Sequence, residues 1–147
     1  MKLFQIEEPD GSPSDPEAPG AAIGIDATGG EGSVAFAVGG NAVMLEDRED
    51  FAVNLPVPPV SAAPQDWQAF FEGARLRAER ALGRPVTHAV LAIAAAGDLV
   101  TLERLKGAAE MAGLMLLDVI GPAGRGEPPA CTAAVLAEDL APRPEAP

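Results

Sequence analysis

The side chains able to do chemistry are few and scattered. Asp26 closes a short apolar run, Ala21-Ala-Ile-Gly-Ile-Asp26, and Thr28-Gly29-Gly30-Glu31-Gly32 follows it. Two or three carboxylates converging on a pair of metal ions would make a hydrolytic centre of the nuclease kind. Asp26, Asp118 and Glu127 are the acids available for one, and the stretch around His88 offers none. His88, the single histidine, has no identifiable serine or cysteine partner, so it reads as a surface residue rather than a general base. Cys131, the single cysteine, excludes an intrachain disulfide and a cysteine-cluster zinc site. In its alanine-rich surroundings it reads as a small buried hydrophobe. Glu46-Asp-Arg-Glu-Asp50 lacks the spacing of a cation loop and reads as solvated. Three glycines after a strand make a hairpin turn on their own account.

These residues need a scaffold, and the apolar periodicity supplies one. Ala21 to Asp26 reads as a buried strand, Ser33 to Val38 as a second and Ala42 to Leu45 as a third, with Gly39-Gly40-Asn41 as a tight hairpin turn. Phe51 to Asn54 is a candidate short strand ahead of a proline-rich connection. The period then changes. From Pro64, Trp67, Phe70, Phe71, Ala74, Ala78 and Ala81 fall on one stripe at three- and four-residue spacings, and Gly83 ends the helix. Thr87 to Ala94 is a nearly continuous apolar strand, as expected where both faces are covered. Asp98 caps a second helix whose stripe is Leu102, Leu105, Ala109 and Ala112, with Gly113 as its stop. Leu114 to Ile120 is a fifth strand and Ala130 to Leu140 a third helix. The order β-β-β-α-β-α-β-α predicts an α/β fold: three antiparallel strands, then right-handed βαβ crossovers, in one mixed five-stranded sheet flanked by helices. That is the ribonuclease-H-like or actin-like layout.

Composition bounds the rest. The chain has 147 residues, 48% of them hydrophobic, which suits one domain with a core of its own. Its formal net charge of −12 opposes a nucleic-acid footprint. No apolar run is long enough to span a bilayer and the start lacks a secretory h-region, so a cytoplasmic setting and no membrane partner are expected. Residues 1–20 hold five carboxylates against Lys2, together with four prolines, and read as a disordered acidic arm. Residues 141–147 read as a frayed tail, leaving 21–140 as the single domain.

Several segments resemble the ATPase domain of the DnaK-type heat-shock chaperones. Ala22-Ile-Gly-Ile-Asp26, the glycine-rich turn and Ser33-Val-Ala-Phe-Ala-Val-Gly-Gly-Asn41 are similar to that family's A-I-G-I-D-L-G-T-T-N-S-x-V-A followed by G-G. Ala78-Glu-Arg-Ala-Leu-Gly-Arg-Pro-Val-Thr-His-Ala-Val90 resembles its A-E-x-x-L-G-x-x-V-x-x-A-V, and Lys106-Gly-Ala-Ala-Glu-Met-Ala-Gly-Leu114 its K-x-A-x-x-I-A-G-L. The likeness covers roughly residues 21–137, the first half-lobe of that domain. It implies an actin-like fold in which two lobes clamp ATP, a glycine-rich hairpin from each approaching the phosphates. It implies that Asp26 holds Mg²⁺ and that Thr28, Gly29, Gly30 and Gly32 form a vestigial phosphate loop.

The departures are equally specific. The family's two phosphate-side hydroxyls fall on Gly29 and Gly30, and Glu31 adds a negative charge where a polyphosphate would sit. The P-A-Y-F after the fourth strand is here Ala94-Ala-Ala-Gly97, and N-E-P-T has only a loose echo in Glu127-Pro-Pro-Ala130. The subdomain with the family's catalytic lysine, the second phosphate hairpin, the adenosine-binding lobe and the peptide-binding domain have no counterpart in the 147 residues. The expectation is a degenerate lobe without unaided ATP hydrolysis, acting as a protein-interaction or regulatory module. It would carry no cofactor of its own, and ATP with Mg²⁺ only if a partner chain or self-association completed the site. A small ribonuclease-H-like nuclease, similar in length to the Holliday-junction resolvase-like proteins, is the remaining alternative.

Overall fold

The computed structural model describes residues 20–45, 54–94, 98–121 and 128–142. Five strands form one sheet: β1 (Ala21–Ala27), β2 (Ser33–Val38), β3 (Asn41–Leu45), β4 (Val86–Ile93) and β5 (Met115–Ile120). Three helices flank it: α1 (Pro64–Leu82), α2 (Leu99–Met111) and α3 (Pro129–Leu140). The spatial order is β3-β2-β1-β4-β5. β1–β2 and β2–β3 are antiparallel, whereas β4 lies parallel to β1 and to β5. The five principal strands and three helices expected from the apolar periods are thus present, their ends differing from the expectation by no more than one residue. The candidate strand at Phe51, the charge run 46–50 and both chain ends lie outside the described residues, apart from Asn54, Gly20, Ala141 and Pro142.

Local chemistry sets the element ends. Pro64 occupies the first turn of α1, and Gly83 closes it in a left-handed conformation at φ 70°, its N–H donating to Glu79 O. Asp98 caps α2, its Oδ1 accepting from Thr101 N at 2.9 Å. That bond holds the carboxyl below its ordinary value. Gly39 and Gly40, at φ 62° and 84°, make the two-residue β2–β3 turn that only paired left-handed residues allow.

Both crossovers, β1 to β4 and β4 to β5, step in the same direction across the sheet. Right-handedness therefore puts α1 and α2 on one face. That face is thick: Ile23, Ile25, Leu91, Ile93, Leu105 and Leu114 meet Trp67, Phe70 and Phe71 there, all buried. The three rings form one cluster with centroids 5.5–5.8 Å apart. The Trp67 indole N–H donates to Pro59 O at 3.0 Å, which satisfies the one polar atom this cluster buries.

The other face is thin and made of small residues. Ala130, Ala133, Ala134 and Ala137 of α3 pack on Ala22, Ala35, Ala37 and Val90. The closest approach is at Gly24. A Cβ there would overlap Ala130 O and Ala134 N, both backbone atoms that no rotamer change can move aside. Cys131 is buried in this layer as expected, its Sγ 3.7 Å from Met44 Sδ.

Gly24→Ala should therefore cost about 3 kcal/mol or more, because α3 must lift off the sheet to admit the methyl. Gly29→Ala, where a Cβ meets nothing within 4 Å, should stay within about 0.5 kcal/mol of the parent. Urea denaturation of both variants checks the contrast.

Candidate functional site

The turn joining β1 to β2 brings the sequence-predicted residues Asp26, Thr28, Gly29, Gly30 and Gly32 together at the C-terminal end of β1. In open α/β sheets that end of the parallel strands is where ligands bind. Asp26 is half-buried there. Its Oδ1 accepts from Thr28 N at 2.8 Å and from the Thr28 hydroxyl at 2.6 Å, which folds the chain back on itself. One carboxylate oxygen of Asp26 and the Thr28 hydroxyl are thus bonded to each other.

Glu31 has a structural partner: its Oε2 accepts from Leu55 N at 2.7 Å. Around this bond the turn is stitched to residues 54–57. Gly32 N donates to Leu55 O at 2.7 Å and Val57 N to Gly30 O at 3.0 Å, with Glu31 opposite Pro56 in an antiparallel bridge. Residues 54–57 therefore act as a short extra strand on the turn. In this bridge the N and O of Pro56 point outward, and proline has no N–H to offer there, which blunts this new edge against further pairing. Gly32 is glycine for a packing reason, since a Cβ would sit 2.6 Å from Cε1 of Phe70. Gly29 and Gly30 are different. Both are exposed, neither needs a positive φ, and a Cβ on either would meet nothing within 4 Å.

Beside this stitched segment runs a groove of about 480 Å³ between residues 54–59 and the outer side of α1. Leu55, Pro56, Val57 and Phe70 line it, with Asp66 as its charged group. It does not include Asp26 or the glycines of the turn.

The remaining acids do not converge on Asp26. Strand register aligns Asp26 with Ala92 and then Ile120, whereas Asp118 aligns with Val90, two residues nearer the strand starts. Two strand spacings and two residue rises separate the two Cα atoms by roughly 12 Å. Asp118 is exposed and its Oδ1 accepts from Val119 N at 2.8 Å. Glu127 lies outside the described residues, as do 95–97 and most of the 121–126 loop. Among the described residues, no group of three or more His, Cys, Asp or Glu side chains could hold a metal ion.

His88 corrects the surface reading. It lies on β4 opposite Ala22 and is buried on the α3 side of the sheet. Its Nδ1 is 2.7 Å from Thr87 Oγ1, which itself accepts from Gly20 N at 2.8 Å. With that lone pair engaged, the threonine hydroxyl can donate to Nδ1, an arrangement that needs the neutral ring. Burial accordingly lowers the His88 pKa below its ordinary 6.5. The apolar neighbours Ala89 to Ile93 were the signal that this histidine faces a covered sheet.

One polar contact had no sequence signal at all. Glu138, near the end of α3, grips the β2–β3 turn with both oxygens, Oε2 accepting from Gly39 N at 2.6 Å and Oε1 from Gly40 N at 2.9 Å. The partners are almost a hundred residues apart, so nothing local announces the pair.

Two outcomes follow from these contacts. Glu31→Ala leaves Leu55 N without its acceptor and should lower stability by about 1–2 kcal/mol, with Glu31→Gln retaining most of it. For His88, the unfolded chain binds the proton first as the pH drops, so stability falls below about pH 6.5 until the folded value is reached. In His88→Asn the melting temperature should hold flat between pH 7 and 5.5, while the parent declines.

Among the described residues, no helix is long and apolar enough to cross a membrane. Compared with known proteins, the chain matches no family model and no curated protein sequence.

Proposed function

We propose that this chain is a degenerate lobe of the DnaK-type, actin-like kind, and that it works as a protein-interaction or regulatory module rather than an ATPase. The order β3-β2-β1-β4-β5 supports the lobe assignment, with α1 and α2 on one face and α3 alone on the other. So do the motif likenesses at residues 22–41, 78–90 and 106–114. The observation that carries the functional half is the internal use of the turn's polar groups. Asp26 is closed onto Thr28, and Glu31 onto Leu55 N. An incoming phosphate would meet two carboxylates and no positive side chain from this turn, and the Coulomb term is repulsive.

A lobe completed by a second chain is the other reading, and one observation favours it. Nothing in the packing requires glycine at 29 or 30, yet both leave the backbone open to close approach. Completion would have to bring the cationic groups that the turn lacks.

Isothermal titration of the chain with Mg-ATP separates these readings. No heat of binding up to millimolar nucleotide is expected. Tight, metal-dependent binding by the monomer would overturn the module reading. Light scattering with and without nucleotide tests completion by self-association, which requires a rise in mass on adding Mg-ATP.

A further inference from the structure

We infer that the groove between residues 54–59 and α1 is a binding site for a small organic cation, a primary ammonium carried on an aromatic or branched apolar stem. This does not rest on the lobe reading, because neither Asp26 nor the glycines of its turn line the groove. The volume of about 480 Å³ suits a small molecule, whose sites span about 300–1,000 Å³. The hollow has a cause in the sequence. Where residues 54–59 pass α1, the helix presents Ala69 and Gly73, two small residues one turn apart. Leu55 and Phe70, both buried, give the groove its apolar wall. Leu55 comes so close to the helix that a Cβ on Gly73 would lie 2.8 Å from its Cδ2.

The polar inventory selects the ligand. Pro56, Pro58 and Pro59 have no N–H to offer. The amides of Leu55 and Val57 are turned the other way, to Glu31 Oε2 and Gly30 O. On the helix side, Asp66 N donates to Ala63 O, and Ala69, Phe70 and Gly73 lie inside α1, where N–H groups bond along the helix. Asn54 is the exception. What remains is acceptors: the Pro56 carbonyl, directed away from the turn, and the carboxylate of Asp66. Asp66 is exposed and, among the described residues, its carboxylate has no hydrogen-bond or ion-pair partner. No lysine or arginine lines the groove. The positive end of the α1 dipole offsets only about half of the Asp66 charge, so the local field stays negative, in a chain of net charge −12. A ligand here must bring its own donors, a positive charge and an apolar body. A primary ammonium on an apolar stem brings all three, whereas a carboxylate of the same shape is repelled.

Heteronuclear NMR titration of the full chain tests this with three probes of one shape: 2-phenylethylammonium, 2-phenylethanol and 3-phenylpropionate. The ammonium should give saturable shifts of the Val57, Ala69 and Gly73 amides, at least about threefold tighter than the alcohol, with no saturation by the carboxylate. Asp66→Asn should bring the ammonium down to the affinity of the alcohol. Ala69→Leu, at an exposed position where packing does not constrain size, should fill the hollow and abolish the shifts from both. Absence of saturable shifts with the ammonium would overturn the proposal. So would equal binding of the ammonium and the carboxylate, or ammonium binding that Asp66→Asn leaves unchanged.

Discussion

The contact on which the structure depends is a helix resting on a glycine. At Gly24 the backbone of α3 comes so close to β1 that no side chain fits between them. Everything on that face is scaled to match: Ala22, Ala35, Ala37, Ala130, Ala133, Ala134 and Ala137. The small layer lets α3 lie across the middle of the sheet, where Glu138 reaches the β2–β3 turn and Cys131 reaches Met44. The opposite face is free to be thick, and the aromatic cluster of α1 fills it. An alanine layer buries less apolar surface per residue than a leucine layer, so this face relies on closeness rather than on bulk.

The same closeness changes the meaning of the Gly24-Ile25-Asp26 stretch. Whatever its likeness to a nucleotide-binding strand, Gly24 has a sufficient cause in packing. Asp26, two residues on, turns its carboxylate to Thr28, and Glu31 fixes the far side of the turn to residues 54–57. A strand end that would cradle phosphate needs unspent donors and positive charge. Here the Thr28 amide and hydroxyl are turned to Asp26, the Gly32 amide to Leu55 O, and the charges of the turn are negative. This economy of polar groups is what the proposed module function rests on.

Much of the fold was legible because the apolar period announces it. The stripe from Trp67 to Ala78 and the continuous run from Ala89 to Ile93 each demand one element type, and the helix stops at Gly83 and Gly113 are local chemistry. The reading failed where the decisive partner is distant in sequence. The bond from Leu55 N to Glu31 had no local signal because the partners lie 24 residues apart. His88 looked like a surface residue because α3, which covers its face, comes more than 40 residues later. The Glu138 grip on Gly39 and Gly40 has no local trace. Side-chain partners across a sheet depend on which helix covers which face, and periodicity within one element does not carry that information.

The central claim is that the turn after Asp26, held by Asp26 on Thr28 and Glu31 on Leu55 N, is a structural turn in the isolated chain. The most direct measurement follows the Gly29 and Gly30 amide resonances while Mg²⁺ and then ATP are added. The account predicts that neither moves beyond the general effect of ionic strength. Saturable shifts of both amides that need the metal as well as the nucleotide would contradict it.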